Sequence, residues 1–266
     1  MVWSCLVSIL PGMAQTEKLT DYVNPFVGTD GYGNVYPGAQ IPFGGIQISP
    51  DTDSRFYDAA SGYKYNHLTL MGFSLTHLSG TGIPDLGDFL FIPGTGEMKL
   101  EPGTHEDPDQ GYCSRYSHDK EWASPNYYAV ELADYGVKAE MTSGVRSGMF
   151  RFTYPESDNA FIMIDMNHTL WQSCEWSNLR MINDSTITGY KLVKGWGPER
   201  HVYFTATFSK KLTGLRFVQD KKPVIYNTSR FRSSYEAWGK NLMACISFDT
   251  KAGEEVTVKT AISAVS

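Results

Sequence analysis

From residue 126 onward the chain is a succession of short runs in which apolar and polar residues alternate, with turn residues between them. The runs are Asn126–Leu132, Val137–Ser143, Gly148–Tyr154, Ala160–Met166, Ser185–Val193, His201–Ser209, Leu212–Val218, Pro223–Asn227, Leu242–Asp249 and Glu255–Ala264. In His201–Ser209, Val202, Phe204, Ala206 and Phe208 fall on one face, and Tyr203, Thr205 and Thr207 on the other. A period of two puts alternate side chains on opposite faces of a sheet, so each run predicts a strand with one buried face. Phe150, Phe152 and Tyr154 alternate with Arg151 and Thr153 in the same way, whereas Ala160–Met166 is apolar almost throughout and suits a central strand covered on both sides. Pro155-Glu156-Ser157-Asp158-Asn159 and Lys251-Ala252-Gly253-Glu254 supply turns. No amphipathic stretch is long enough for a helix of ordinary length; Ser233–Asn241 reads as one short turn at most. Residues 21–110 have another texture, rich in Gly and Pro, and read as long ordered loops with short strands between them. The predicted fold is all-β: a large two-sheet antiparallel β-sandwich with long Gly/Pro-rich N-terminal loops.

Composition narrows the function classes. With 41% hydrophobic and 14% aromatic residues the chain can bury a substantial core, which excludes whole-chain disorder. A net charge of −6 with no Lys/Arg run offers no stripe for phosphates, so nucleic acid is excluded as a partner. Residues 1–14, MVWSCLVSILPGMA, are apolar, uncharged and too short to span a bilayer. They read as the remnant of a signal peptide without its basic start, giving a secreted, periplasmic or cell-surface domain over 15–266 and no membrane span. Cys113, Cys174 and Cys245 have no CxxC spacing and read as buried single thiols, with Cys5 in the leader. Sequons at Asn167, Asn183 and Asn227 matter only in a eukaryotic secretory pathway. The chain ends inside or just after a strand at Ser266, which reads as truncation of a longer product.

Candidate site residues concentrate in the loops. Between Gly28 and Gly38, glycines let backbone approach a ligand closely, and Thr29, Asp30, Tyr32 and Asn34 offer hydrogen bonds and a stacking face, the mix a sugar needs. The same loop can equally be a packed turn whose Asp and Asn satisfy their own backbone. His77, in Thr76-His77-Leu78-Ser79-Gly80-Thr81-Gly82, reads by spacing as a core histidine; Ser79 and Thr81 read as an exposed turn. A Ser–His–Asp triad with Asp85 or Asp88 is rejected, because Ser79 lacks a strand–turn–helix elbow. Asp51-Thr52-Asp53 is only a fragment of a calcium loop, and Asp107-Pro108-Asp109 and Glu254-Glu255 read as solvated turns, so neither a catalytic pair nor a metal site is assigned. Trp171, Trp176 and Trp196 offer stacking faces; Trp196, in Gly195-Trp196-Gly197-Pro198, is the best placed because its neighbours suggest an exposed turn.

Several motifs occur in order along the chain. Asp21–Gly44, with Asn24-Pro25-Phe26-Val27-Gly28-Thr29 and Val35-Tyr36-Pro37-Gly38-Ala39, is followed by Ser49-Pro50-Asp51-Thr52 and Gly62-Tyr63-Lys64-Tyr65. Gly72–Gly82, Pro84-Asp85-Leu86-Gly87-Asp88, Tyr135–Ser143 and Val202–Lys210 continue the series. Together they resemble the calcium-dependent α-mannosidases of glycoside hydrolase family 92 over about residues 21–266. The resemblance implies an N-terminal β-sandwich packed on a C-terminal (α/α)6 barrel, which this chain lacks, with the active site between them. It implies hydrolysis of mannose-containing glycans with inversion, and calcium bound mainly by the missing domain, which also carries the acid and base. The chain is then one wall of the sugar pocket, inactive alone, with Gly28, Thr29, Asp30, Tyr32, Asn34, Ser79, Thr81 and Trp196 facing sugar, and with His77 contacting sugar or packing between domains. Gly31-Tyr32-Gly33-Asn34 stands where many members carry Gly-His-Gly-His, a change that bears on linkage or subsite preference. The alternative is a stand-alone carbohydrate-binding β-sandwich module.

Overall fold

The structure, a computed structural model, describes residues 17–54, 59–225 and 236–266. The leader segment with Cys5, the Asn227 sequon and residues 233–235 lie outside the described residues. In chain order the strands are β1 (Ser49–Asp51), β2 (Thr69–Leu70), β3 (Gly72–Ser74), β4 (Leu90–Thr95), β5 (Ser114–Arg115) and β6 (Glu121–Ser124). They continue as β7 (Tyr127–Leu132), β8 (Val137–Ser143), β9 (Ser147–Tyr154), β10 (Ser157–Asp165), β11 (Ser173–Asn183) and β12 (Thr186–Lys194). The last are β13 (Arg200–Phe208), β14 (Gly214–Gln219), β15 (Lys222–Pro223), β16 (Glu236–Gly239), β17 (Leu242–Thr250) and β18 (Glu254–Ser263).

A seven-stranded sheet runs β1-β3-β4-β10-β17-β14-β15, and a nine-stranded sheet runs β16-β11-β12-β13-β18-β9-β8-β7-β6. The pairings are antiparallel, so the predicted all-β sandwich is what forms. The alternation read from the sequence is the burial pattern observed. Val202, Phe204, Ala206 and Phe208 are buried on β13, as are Phe150, Phe152 and Tyr154 on β9. Aromatic rings from the two sheets meet between them: Phe91 lies 4.9 Å from Phe150, and Phe89 lies 4.5 Å from Phe204, centroid to centroid. Each such ring contributes about 1.5–3 kcal/mol through burial.

Strand β10 sits between β4 and β17 and is covered on both faces, as its unbroken apolar run predicts. Ala160, Ile162 and Ile164 join the inter-sheet core. Phe161 and Met163 face the other way, into a second cluster closed by Tyr112, Cys113, Met98 and Leu100 from the loop ahead of β5. Cys113, Cys174 and Cys245 are buried. Two expectations are corrected. Residues 236–239 form β16 rather than part of a turn, pairing with β11 at Leu179↔Ala237. Strand β11, absent from the predicted runs, supports both β12 and β16.

Candidate functional site

At one rim of the sandwich the N-terminal loop crosses itself. Val35 N donates to Gly28 O at 3.1 Å, and a Cβ at position 33 would stand 2.2 Å from that same carbonyl oxygen, so the crossing requires Gly33. Thr29 is buried; its hydroxyl donates to Phe26 O at 2.8 Å, and its carbonyl accepts from Tyr65 N at 2.9 Å. Lys64 Nζ donates to Gly31 O. Outside this anchored base, Asp30 is exposed and Tyr32 is 95% exposed. Asn34 holds a φ of +50° and turns its amide back on Tyr32 O at 3.2 Å.

Gly80 N donates to Asn34 O at 2.7 Å, which lays the second motif against the first. Ser79 is exposed in that turn, and Thr81 donates to Ile83 O at 3.0 Å. Gly28, Thr29, Asp30, Tyr32, Asn34, Ser79 and Thr81 therefore form one continuous rim. Trp196, 59% exposed, reaches the far end of the second motif through its backbone N–H, 3.2 Å from Asp85 Oδ2.

His77 lies beneath the rim, buried, with the Tyr36 ring 5.1 Å away. Its Nδ1 faces Gln47 O at 2.8 Å, and its Nε2 faces Asp51 Oδ1 at 2.7 Å and Ser74 Oγ at 3.1 Å. Carbonyl and carboxylate oxygens only accept, so the ring answers both when both nitrogens carry hydrogen. A nucleophilic triad needs serine and aspartate on opposite ring nitrogens, and here both share Nε2. The other Asp51 oxygen accepts from His168 Nε2 at 2.8 Å. Burial alone would push the Asp51 carboxyl up, yet His77 and His168 together hold it well below the ordinary carboxylate range.

A second buried carboxylate continues the polar chain. Lys191 Nζ donates to His168 O at 2.6 Å and stands 3.1 Å from Asp88 Oδ1. Arg200 clasps Asp88 at 2.6 and 3.2 Å, and the Thr76 hydroxyl donates to it at 2.7 Å. Burial again opposes ionisation, and Lys191 and Arg200 overcome it, holding Asp88 low. Sequence reasoning missed these supporting residues. Lys191 carried a signal: it falls in register with Ile187 and Val193, on the inward face of β12. Asp51 stood out only as a calcium-loop fragment, and its real partners come from distant segments.

Two clefts open beside the rim. The larger, about 850 Å³, is lined by His168, Asp165, Tyr112 and Lys240. A smaller one of about 350 Å³ has Trp171 and Trp196 in its walls and Gln172 between. Trp176 is exposed and lines neither cleft. The Asp107–Asp109 segment is a short turn whose Asp109 pairs with Arg115 at 2.8 Å, and Glu254 pairs with Lys210. Among the described residues no group of three or more His, Cys, Asp or Glu side chains is arranged to hold a metal.

Residues 22–263 match the family model described as glycosyl hydrolase family 92 N-terminal domain. Among solved structures, the family 92 glycosyl hydrolase ccman5 is 27% identical with a TM-score of 0.75, over 92% of this chain and 32% of that one. A family 92 inverting mannosidase of Bacteroides thetaiotaomicron VPI-5482 is 25% identical with a TM-score of 0.75, over 94% of this chain and 32% of that one. A curated relative named uncharacterized secreted glycosidase, from Arthroderma benhamiae, is 30% identical over 145 residues, 52% of this chain and 17% of the relative. The chain thus spans about a third of the length of these solved relatives.

Proposed function

The chain belongs to glycosyl hydrolase family 92, matching its N-terminal domain, and from that membership we propose that it forms one wall of the mannose pocket of a secreted α-mannosidase. The observation that carries the reading is the anchored rim, in which the Gly80–Asn34 hydrogen bond joins two separate glycine-rich motifs into one polar and aromatic edge. Asp30, Asn34, Ser79 and Thr81 would meet sugar hydroxyls, and Tyr32 and Trp196 the C–H faces of the rings. Gly28 and Thr29 set the backbone, and His77 acts from below as a positioning residue.

An inverting hydrolase needs two carboxyls about 6.5–9.5 Å apart, one of them protonated. Asp51 and Asp88 are unsuited to be that acid, because their cationic and hydrogen-bonding neighbours favour the ionised form. The acid and base are therefore assigned to a helical partner domain. Calcium goes there too: both Asp51 oxygens already accept from histidine, and the residues at this rim do not fit a calcium ion. Export is supported by the leader-like start and by the name of the curated relative.

The test is mannose release from α-mannobiose. The 266-residue chain alone is expected to release none. Combined with the helical domain of a family 92 relative it should become active, and Y32A should then lower kcat/KM about tenfold, equivalent to roughly 1.4 kcal/mol. Mannose release by the isolated chain would sink the proposal.

A further inference from the structure

On the outer face of the nine-stranded sheet, residues from five neighbouring strands form one straight row. Trp238 on β16 stands opposite Asn178 on β11, and Asn178 opposite Tyr190 on β12. Tyr190 stands opposite Tyr203 on β13, and Tyr203 opposite Ser263 on β18. The adjacent Ala237, Leu179 and Phe204 are buried in the core, so strand alternation turns the row outward. Thr188 and Thr205 stand opposite each other in the next row on the same face. Together these side chains line a cleft of about 580 Å³, within the range of small-molecule sites.

Alternation explains why the row faces outward, but not why it is aromatic. Trp238 is 54% exposed. Tyr190 is held from both sides: its ring lies 4.8 Å from that of Tyr203 and 5.8 Å from that of His201, and its hydroxyl is 2.9 Å from His201 Nδ1. Asn178 donates its amide to Glu236 Oε1 at 3.2 Å and to Ala237 O at 3.1 Å, which ties β16 to the row. Two strand spacings separate Trp238 from Tyr190, roughly 9.6 Å, with Asn178 between them. Among the described residues the Trp238 indole N–H and the Tyr203 hydroxyl have no hydrogen-bond partner. Unlike the larger cleft beside the rim, with its Asp165 and Lys240, this one has no Asp, Glu, Lys or Arg side chain in its lining.

We infer that this outer face is a second carbohydrate-binding surface, which takes a segment of neutral glycan along the row from Trp238 to Tyr203. Rings held at fixed spacing present flat apolar surfaces to pyranose C–H faces, while the indole N–H, the Tyr203 hydroxyl and the two threonines answer sugar hydroxyls. The uncharged lining selects a neutral ligand. An apolar protein helix laid on the same face would cover the hydroxyls of Thr188, Tyr203 and Thr205 without pairing them, a cost that a glycan avoids. The surface is continuous with the rim, because Trp196 lies in the turn of the β12–β13 hairpin whose strands carry Tyr190 and Tyr203. The inference rests on the carbohydrate reading above and extends it from the rim to the sheet.

The experiment is native-gel retardation of the 266-residue chain in soluble α-mannan, with thermal melting of each variant in parallel. W238A and Y203A are each expected to weaken retardation about tenfold, and W238F to keep most of it, since a phenyl ring still offers a flat face. Both alanine variants should melt within about 4 °C of the parent, as outward-facing side chains do. A parent chain that α-mannan does not retard, retardation that neither alanine variant changes, or a larger fall in Tm would overturn the inference. So would a W238A chain that no longer combines with the helical domain of a family 92 relative, since the face would then be a protein interface. The hydrolytic reading is judged separately, by mannose release from α-mannobiose by the assembled enzyme. W238A should leave that release unchanged, and a loss there would make Trp238 part of the rim and end its separate role.

Discussion

At the scale of single residues, Asp51 decides how the rim is held. A fully buried carboxylate is costly unless its charge and lone pairs are answered, and here two histidines do so. Removing one leaves a buried charge half compensated. H77A is therefore expected to destabilise the domain by about 3 kcal/mol, read as a shift in the urea midpoint. A loss below about 0.5 kcal/mol, the range of an ordinary surface change, would show that the strut does not carry the loops. The pairing of Asp51 with two histidines was not legible in the sequence. Spacing alone gave His77 as a core histidine, and it is one. The second partner of Asp51, His168, lay hidden inside the Asn167-His168-Thr169 sequon, because partnership between residues so far apart belongs to the fold and not to local pattern.

Among elements, the strands that sequence periodicity revealed are those with one clean buried face, such as β9 and β13. Strand β11 escaped because its register shifts between Cys174 and Trp176, which breaks the alternation by which strands are recognised. Strand β4 lies in the stretch read as long loops with short strands between them, and it was not singled out because it contains Pro93 and Gly94. The proline is tolerated because β3 pairs with β4 only at Phe73↔Phe91, leaving the Pro93 side unclaimed. On the outer face of β7–β8–β9, Glu140 ties three strands together. It sits opposite Arg151, receives that guanidinium at 2.7 and 2.9 Å, and accepts from Tyr127 at 2.6 Å. These donors, Arg151 foremost, bring its carboxyl from an ordinary 4.5 down to about 2. A lowered acid stabilises the fold above its unfolded value and loses that contribution as pH falls through its folded one. Stability should thus decline between about pH 4.5 and about pH 2, and E140Q should flatten that part of a pH series of urea midpoints. An unchanged slope would mean that other carboxyls govern acid unfolding.

For the whole molecule, apolar side chains collect on the N-terminal loops. Phe43 is 101% exposed and Val27 71%, and Gly45 N donates to the carbonyl of the exposed Val145 at 2.6 Å. Surface of this kind on a β-sandwich suits a docking face for the helical domain proposed above. The isolated chain is expected to self-associate with rising concentration in sedimentation, and F43S with V27S should remain monomeric; a monomeric parent at every concentration would argue against docking there. The Asp51 strut also fixes an order of assembly. Its histidines follow it by 26 and 117 residues, so on the ribosome the early glycine-rich segment emerges long before the group that locks it. The rim formed by the two glycine-rich motifs is consequently a late product of synthesis, set only after β10 has emerged, and a nascent chain halted short of His168 would display those loops unset.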